Sequence, residues 1–263
     1  MKLIGVDFTS APCRRKAITV AHGSIHDKAL LVSAITRHTD FASFEALLAA
    51  PGPWLGAFDF PFGLPREGVI DLGWPQEWDA LVRHCSAIGK IQFKTALDAY
   101  RVQRPFGMRY PHRKTDIPAR SHSPFKLVNP PVGLMFLAGA PRLLAANVCI
   151  PGIRHGDNQR IAVEAYPALV ARRYSIASYK SDDRRRQTAA RAQIRTHIVE
   201  RIERDTGLRF EGNIRQQALE DPSGDTLDAI LALTQATNAL HARKQGFGLP
   251  QSIDPIEGWI VGA

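Results

Sequence analysis

Five acidic residues stand where apolar runs end or a helix begins. Asp7 closes K-L-I-G-V-D, Asp59 closes W-L-G-A-F-D, Glu164 closes R-I-A-V-E, and Asp225 and Asp228 open D-T-L-D-A-I-L-A-L. In an open α/β sheet, ligands bind outside the carboxyl ends of the strands, so acids at three strand ends and one helix start can share a crevice. Asp225 and Asp228 are spaced i, i+3 and therefore lie on one helix face. Hard oxygen donors with no Cys or His motif suit Mg²⁺ or Mn²⁺ poised on a phosphate. All five acids are thus candidate catalytic residues, and Asp7, Asp59, Asp225 and Asp228 are candidate metal ligands.

Each has a competing structural role. Asp7 can bond the backbone of the loop ahead of it as a turn former. Glu164 has Arg172 and Arg173 as possible ion-pair partners. Asp225 is a good N-cap, with Asp228 completing a capping-box-like start. Asp59 lies in F-D-F-P-F-G-L-P, where an unpaired carboxylate is costly unless a cation or a hydrogen-bond donor meets it.

The elements that would position these acids follow from the pattern. Apolar runs at 2 to 8 and 16 to 22, then L-L-V-S-A-I-T-R after Gly23-Ser24, predict an antiparallel meander turning at that glycine. Helical spacing over 40 to 50 begins at Asp40 as a cap, and Pro51-Gly52-Pro53 ends it. A helical crossover leaves the next strand, ending in Asp59, parallel to the first, so Asp7 and Asp59 become neighbours. A fifth strand spans 160 to 164 and a short helix follows Pro167. A long charged helix is expected over 182 to 204, starting from Ser181, and an apolar one over 225 to 242.

Residues 60 to 158 interrupt this order and read as an insertion packed over the carboxyl edge of a single domain spanning 1 to 263. From Arg83 to Lys126 there are ten Lys or Arg against two acids, with Phe93, Tyr100, Phe106 and Tyr110 interleaved. That composition suits phosphates and stacked bases, or else a solvated loop whose aromatics fill a small core. Arg101, Arg104, Arg113 and Lys114 are the candidate nucleic-acid contacts there, joined by Lys180 and Arg184 from a second basic cluster. His112 and His122 lack ligand spacing.

The chain has 263 residues, 44% of them hydrophobic, and a net charge of +9. Its size permits one substantial core, and its charge favours a polyanionic partner, nucleic acid first. Cys13, Cys85 and Cys149 are odd in number and widely separated, which argues against a disulfide framework and for a reducing cytoplasm. The apolar start is too short for a secretory leader. The stretch 132 to 150 is broken by Pro141, Arg142 and Asn147, so a buried helix pair is expected rather than a membrane span.

The ordered set I-G-V-D, F-D-F-P-F-G-L-P, R-K-T-D with S-P-F-K, V-E-A-Y-P, G-D-T-L-D-A-I-L-A-L and I-E-G-W-I resembles domain-of-unknown-function family 429. Its members are described as predicted RNase H-like nucleases related to the RuvC and YqgF groups. The resemblance runs from about residue 4 to residue 260. It implies an RNase H-like mixed sheet in the order 3-2-1-4-5 with strand two antiparallel, and a two-metal nuclease using Mg²⁺ or Mn²⁺. Asp7, Asp59 and either Asp225 or Asp228 match metal-ligand positions of the RuvC-like pattern, while Glu164 belongs to the family's own motif. Asp59 departs from that pattern, where a longer Glu is usual.

Two other classes share this topology. G-V-D-F-T-S is similar to the first phosphate loop of actin-like ATPases and sugar kinases, although those contain two copies of the fold and a glycine-rich second loop that this chain lacks. The other is a non-catalytic nucleic-acid-binding module that keeps the fold without the metals.

Overall fold

The computed structural model describes residues 1–27 and 29–263. Strands β1 (Lys2–Asp7), β2 (Ile18–His26) and β3 (Ala29–His38) form an antiparallel meander. Helix α1 (Phe41–Ala49) follows, its first turn capped by the Asp40 carboxylate, which accepts the Ser43 N–H at 2.8 Å. Strand β4 (Trp54–Asp59) then runs parallel to β1 with Asp7 paired to Asp59. The turn of the first hairpin is not at Gly23-Ser24. Gly23 lies inside β2 at a bulge, and a Cβ there would stand 2.6 Å from the Leu31 carbonyl oxygen. That glycine allows a close strand approach rather than a reversal.

The insertion carries α2 (Arg66–Asp71), α3 (Trp78–Val102), α4 (Asp116–Ala119) and α5 (Val132–Ala145). The apolar stretch from 132 is therefore one helix, running into the short strand β5 (Val148–Cys149), and not a helix pair. Strand β6 (Asp157–Glu164) pairs parallel with β4, and α6 (Pro167–Ala171) follows it. The expected charged helix starts later than Ser181. Arg184–Arg186 form a 3₁₀ turn, and α7 (Ala189–Thr206) begins after Thr188, whose hydroxyl accepts the Arg191 N–H at 3.4 Å. Strand β7 (Arg209–Phe210), α8 (Ile214–Glu220) and α9 (Asp225–His241) complete the chain's main elements.

Among the described residues the sheet is mixed and seven strands wide, in the order β5-β6-β4-β1-β2-β3-β7. The expected five neighbours lie within it, with the two-residue strands β5 and β7 widening it at either edge. Strand alternation sorts the side chains into two cores. Ile4, Val6, Ile18, Val20 and Phe58 join the insertion's Trp78, Phe93, Phe125 and Phe136 on one face. Leu3, Ala21, Leu55, Ala57 and Val163 meet α7 and α9 on the other. The insertion is thus a buried helical layer as well as a loop region, and Phe93 and Tyr100 are core residues while Phe106 is exposed.

The approach of α9 is set by Gly5. A Cβ there would lie 2.1 Å from the Leu233 amide nitrogen and 2.2 Å from the Ala229 carbonyl oxygen. Helix and strand therefore pack backbone to backbone. Among the described residues no helix is long and apolar enough to cross a membrane. All three cysteines are free.

Candidate functional site

Asp7 and Asp59 end adjacent parallel strands in register, so their side chains leave the sheet on the same face, the one that α9 covers. Thr19 on β2 is the register partner of Asp7 on its other side and shares that face. Gly5, two residues before Asp7, admits the α9 backbone, which brings the helix start to the same strand ends.

Asp225 is the first residue of α9 but does not cap it. The position before it is Gly224, with a left-handed φ of 78°. Asp221 supplies the cap instead, accepting both the Thr226 N–H and its hydroxyl at 2.8 Å. Asp225 and Asp228 are thereby left for other partners. Lys16, in the loop between β1 and β2, donates to Asp225 at 2.7 Å and to Asp182 at 3.0 Å. Lys180 donates to Asp228, and so does the Tyr179 hydroxyl. The segment between α6 and α7 therefore closes over the acids from above.

The electrostatics of the group show how short it is of positive charge. Burial, followed by repulsion from Asp228 and Asp225, raises the Asp7 carboxyl well above its usual range. Asp59 is pushed up to about 8, by burial first and then by Asp228. Burial also raises Asp225, against the pull of Lys16. Burial alone would lower Lys180, but Asp228, Tyr179 and Asp7 hold it well above its ordinary value. Fully ionised, the four aspartates and two lysines leave a formal charge of about −2, and Asp182 shares Lys16 as well.

In donor type, though not in arrangement, the residues present suit a divalent cation. The donors are hard oxygens, and the Thr19 hydroxyl beside Asp7 is fully buried without a hydrogen-bond partner among the described residues, a cost that a native interior seldom carries unless something meets it. Among the described residues no group of three His, Cys, Asp or Glu is arranged to hold a metal ion. Lys16 and Lys180 supply the positive charge seen against Asp225 and Asp228.

Glu164 turns the other way from the aspartates, although it stays close enough to Asp59 to help raise that carboxyl. Its register partner is Phe58, not Asp59, so alternation turns it to the opposite face of the sheet. There Arg113 grips it with two hydrogen bonds of 2.8 and 2.7 Å, and the Phe62 N–H adds a third at 2.9 Å. Arg172 and Arg173 are not its partners. Arg113 also reaches Asp116 at 2.9 Å and the Glu257 carbonyl at 2.9 Å. Burial would lower the Arg113 guanidinium, but Glu164 and Asp116 keep it above its ordinary value. Arg113 is only 2% exposed, so the expectation that it contacts nucleic acid is corrected. It is a buried clamp between the insertion, β6 and the C-terminal segment.

The other basic candidates divide. Arg101 pairs with Asp98 at 2.7 Å, and Arg104 pairs with Asp71 while its guanidinium lies 3.8 Å from the Tyr100 ring centre. Lys114 and Arg184 are exposed. Lys180 faces the aspartates. Lys16, Thr19 and Tyr179 were not among the expected site residues, because they carry no spacing signal of their own. Asp116, three residues after Arg113, is the one legible hint of that clamp. Asp59 and Lys180 also line a cleft of about 370 Å³ that continues along Tyr166, Val132 and Met135.

No curated protein and no solved structure is recognisably similar to the chain. The family described as "Protein of unknown function (DUF429)" matches residues 5–251. That span takes in both acidic strand ends, the insertion and α9, and the chain belongs to this family.

Proposed function

We propose that this protein is a divalent-cation-dependent phosphodiesterase acting on nucleic acid, with its sheet and α9 arranged as in RNase H-like nucleases. The observation that carries the reading is the convergence of Asp7, Asp59, Asp225 and Asp228 at one edge, with Lys16 paired to Asp225 and Lys180 to Asp228. Asp7, Asp59 and Asp228 would hold Mg²⁺ or Mn²⁺, with Asp225 and the orphan Thr19 hydroxyl beside them. Such ions, when bound, acidify a water and stabilise charge on a leaving oxygen.

The chain's own residues set the conditions for this chemistry. Asp7 has the most fixed position, between β4 and β2 and beneath α9. With a cation on Asp228, Lys180 would be free to meet a phosphate oxygen, for which a compact point charge is suited. Glu164 takes no part in the reaction and holds the cleft wall through Arg113.

The test is strand cleavage of labelled single-stranded and duplex DNA and RNA in Mg²⁺, Mn²⁺ or EDTA. Wild type is expected to cut only with metal, and Asp7→Asn and Asp59→Asn to abolish cutting while remaining folded. Cleavage that survives both substitutions would refute the reading. ATP turnover dependent on the same aspartates, without strand cleavage, would assign them to phosphoryl transfer.

A further inference from the structure

The cleft beside Asp59 encloses about 370 Å³, within the range of pockets that take one small ligand. Its lining joins two kinds of surface. Asp59, Lys180 and Asp182, the last paired with Lys16, belong to the acidic edge, while Pro61, Val132, Met135 and Tyr166 are apolar or aromatic. Glu164 and Arg113 also reach it but spend their charges on each other.

Tyr166 is held rather than loose. Its backbone N–H donates to Gln235 at 2.9 Å, and the Arg172 guanidinium lies 5.3 Å from its ring centre while donating to the Ala119 carbonyl. An aromatic ring beside a charged edge is what recognises a planar base attached to a phosphate. A base inside a duplex is already stacked on both faces and cannot enter a pocket of this kind unless it leaves the stack.

We infer that this cleft binds one unstacked nucleotide, with its base against Tyr166, Val132 and Met135 and its phosphate towards Asp59 and Lys180. The substrate is then a single strand, a frayed end or a free nucleotide, and not an intact duplex. The fate of the phosphate rests on the phosphodiesterase reading, whereas the pocket does not.

Two measurements separate them. In calorimetry with Mg²⁺ and the full chain, AMP should bind about tenfold or more tightly than ribose 5-phosphate, the scale of one base stack. Tyr166→Ala should erase that preference and Tyr166→Phe should keep it, with unchanged melting showing both variants folded. Equal binding of the two probes by wild type, or a preference that survives Tyr166→Ala, would overturn the pocket. In the second measurement, an eight-nucleotide single strand should be cut at least tenfold faster than the same sequence inside a closed hairpin. Equal cutting of the two would overturn the inference while sparing the phosphodiesterase reading. No cutting of either, with AMP still preferred, would place a free nucleotide in the pocket and overturn only the phosphodiesterase reading.

Discussion

Arg113 shows how far a residue's neighbours decide its role. From the sequence it is one of ten cations in a basic segment, yet folding buries it against Glu164 and Asp116. Removing one partner of a buried ion pair strands the other charges, so Arg113→Met should cost roughly 3–5 kcal/mol in denaturant unfolding. Arg101→Ala removes a surface pair with Asp98 and should cost under about 1 kcal/mol. Similar losses for both would show that the clamp carries no special stability. Asp59 gives the pH dependence. Its folded value of about 8 stands above the ordinary 3.8, so the folded state keeps a proton that the unfolded chain has released. The protonated form's contribution is full at low pH and is lost as pH rises through that window. The metal-free protein should therefore melt lower at pH 8 than at pH 5, and Asp59→Asn should flatten the profile. Asp7→Asn should leave the metal-free protein as stable as wild type or more so, and remove any stabilisation by Mg²⁺. Melting curves in EDTA that rise with pH, or equal Mg²⁺ shifts for both chains, would contradict these roles.

At the scale of elements, the site depends on α9 reaching β1 across Gly5. Gly5→Ala would place a methyl 2.1 Å from a backbone nitrogen that no rotamer change can move. The expected loss is about 3 kcal/mol or more, together with loss of Mg²⁺-dependent stabilisation as the helix start is pushed off the strand ends. A variant of wild-type stability would mean that the helix moves freely. Strands β1 and β4 were legible because each is an apolar run with clear breakers, whereas the supposed breaker Gly23-Ser24 lies inside β2; the pairing of Asp7 with Asp59 followed from the helix between them. What could not be read was parity. Glu164 ends its strand as the aspartates do, but the β4–β6 register pairs it with Phe58, and one residue of offset exchanges the faces of a sheet. The capping of α9 was hidden for a similar reason. Asp221 does that work from outside the helix, through a loop turn at Gly224 that local propensity does not specify. Lys16 and Lys180 come from separate loops, and only the assembled fold brings them to the acids.

Across the whole molecule, a net charge of +9 coexists with an acidic edge that would repel a polyanion. Internal pairing reduces the charge available to attract one, since Arg101, Arg104 and Arg113 all engage acids of the fold. The expected basic wall on the insertion is correspondingly weaker than its composition implies. Arg184, Arg185 and Arg186 are different, because they form an exposed turn two residues after Asp182, in the same segment that carries Lys180 to Asp228. A strand whose nucleotide occupies the cleft beside Lys180 would run its neighbouring phosphates past that turn. Replacing the three arginines by Ala should then weaken single-strand binding while leaving the melting temperature unchanged. The slope of log affinity against log salt should flatten by about 0.7 for each phosphate that the variant no longer neutralises, and AMP, which spans only the cleft, should bind as before. Equal weakening of AMP would mean that the arginines shape the pocket itself, and an unchanged slope would mean that the strand leaves the cleft in another direction.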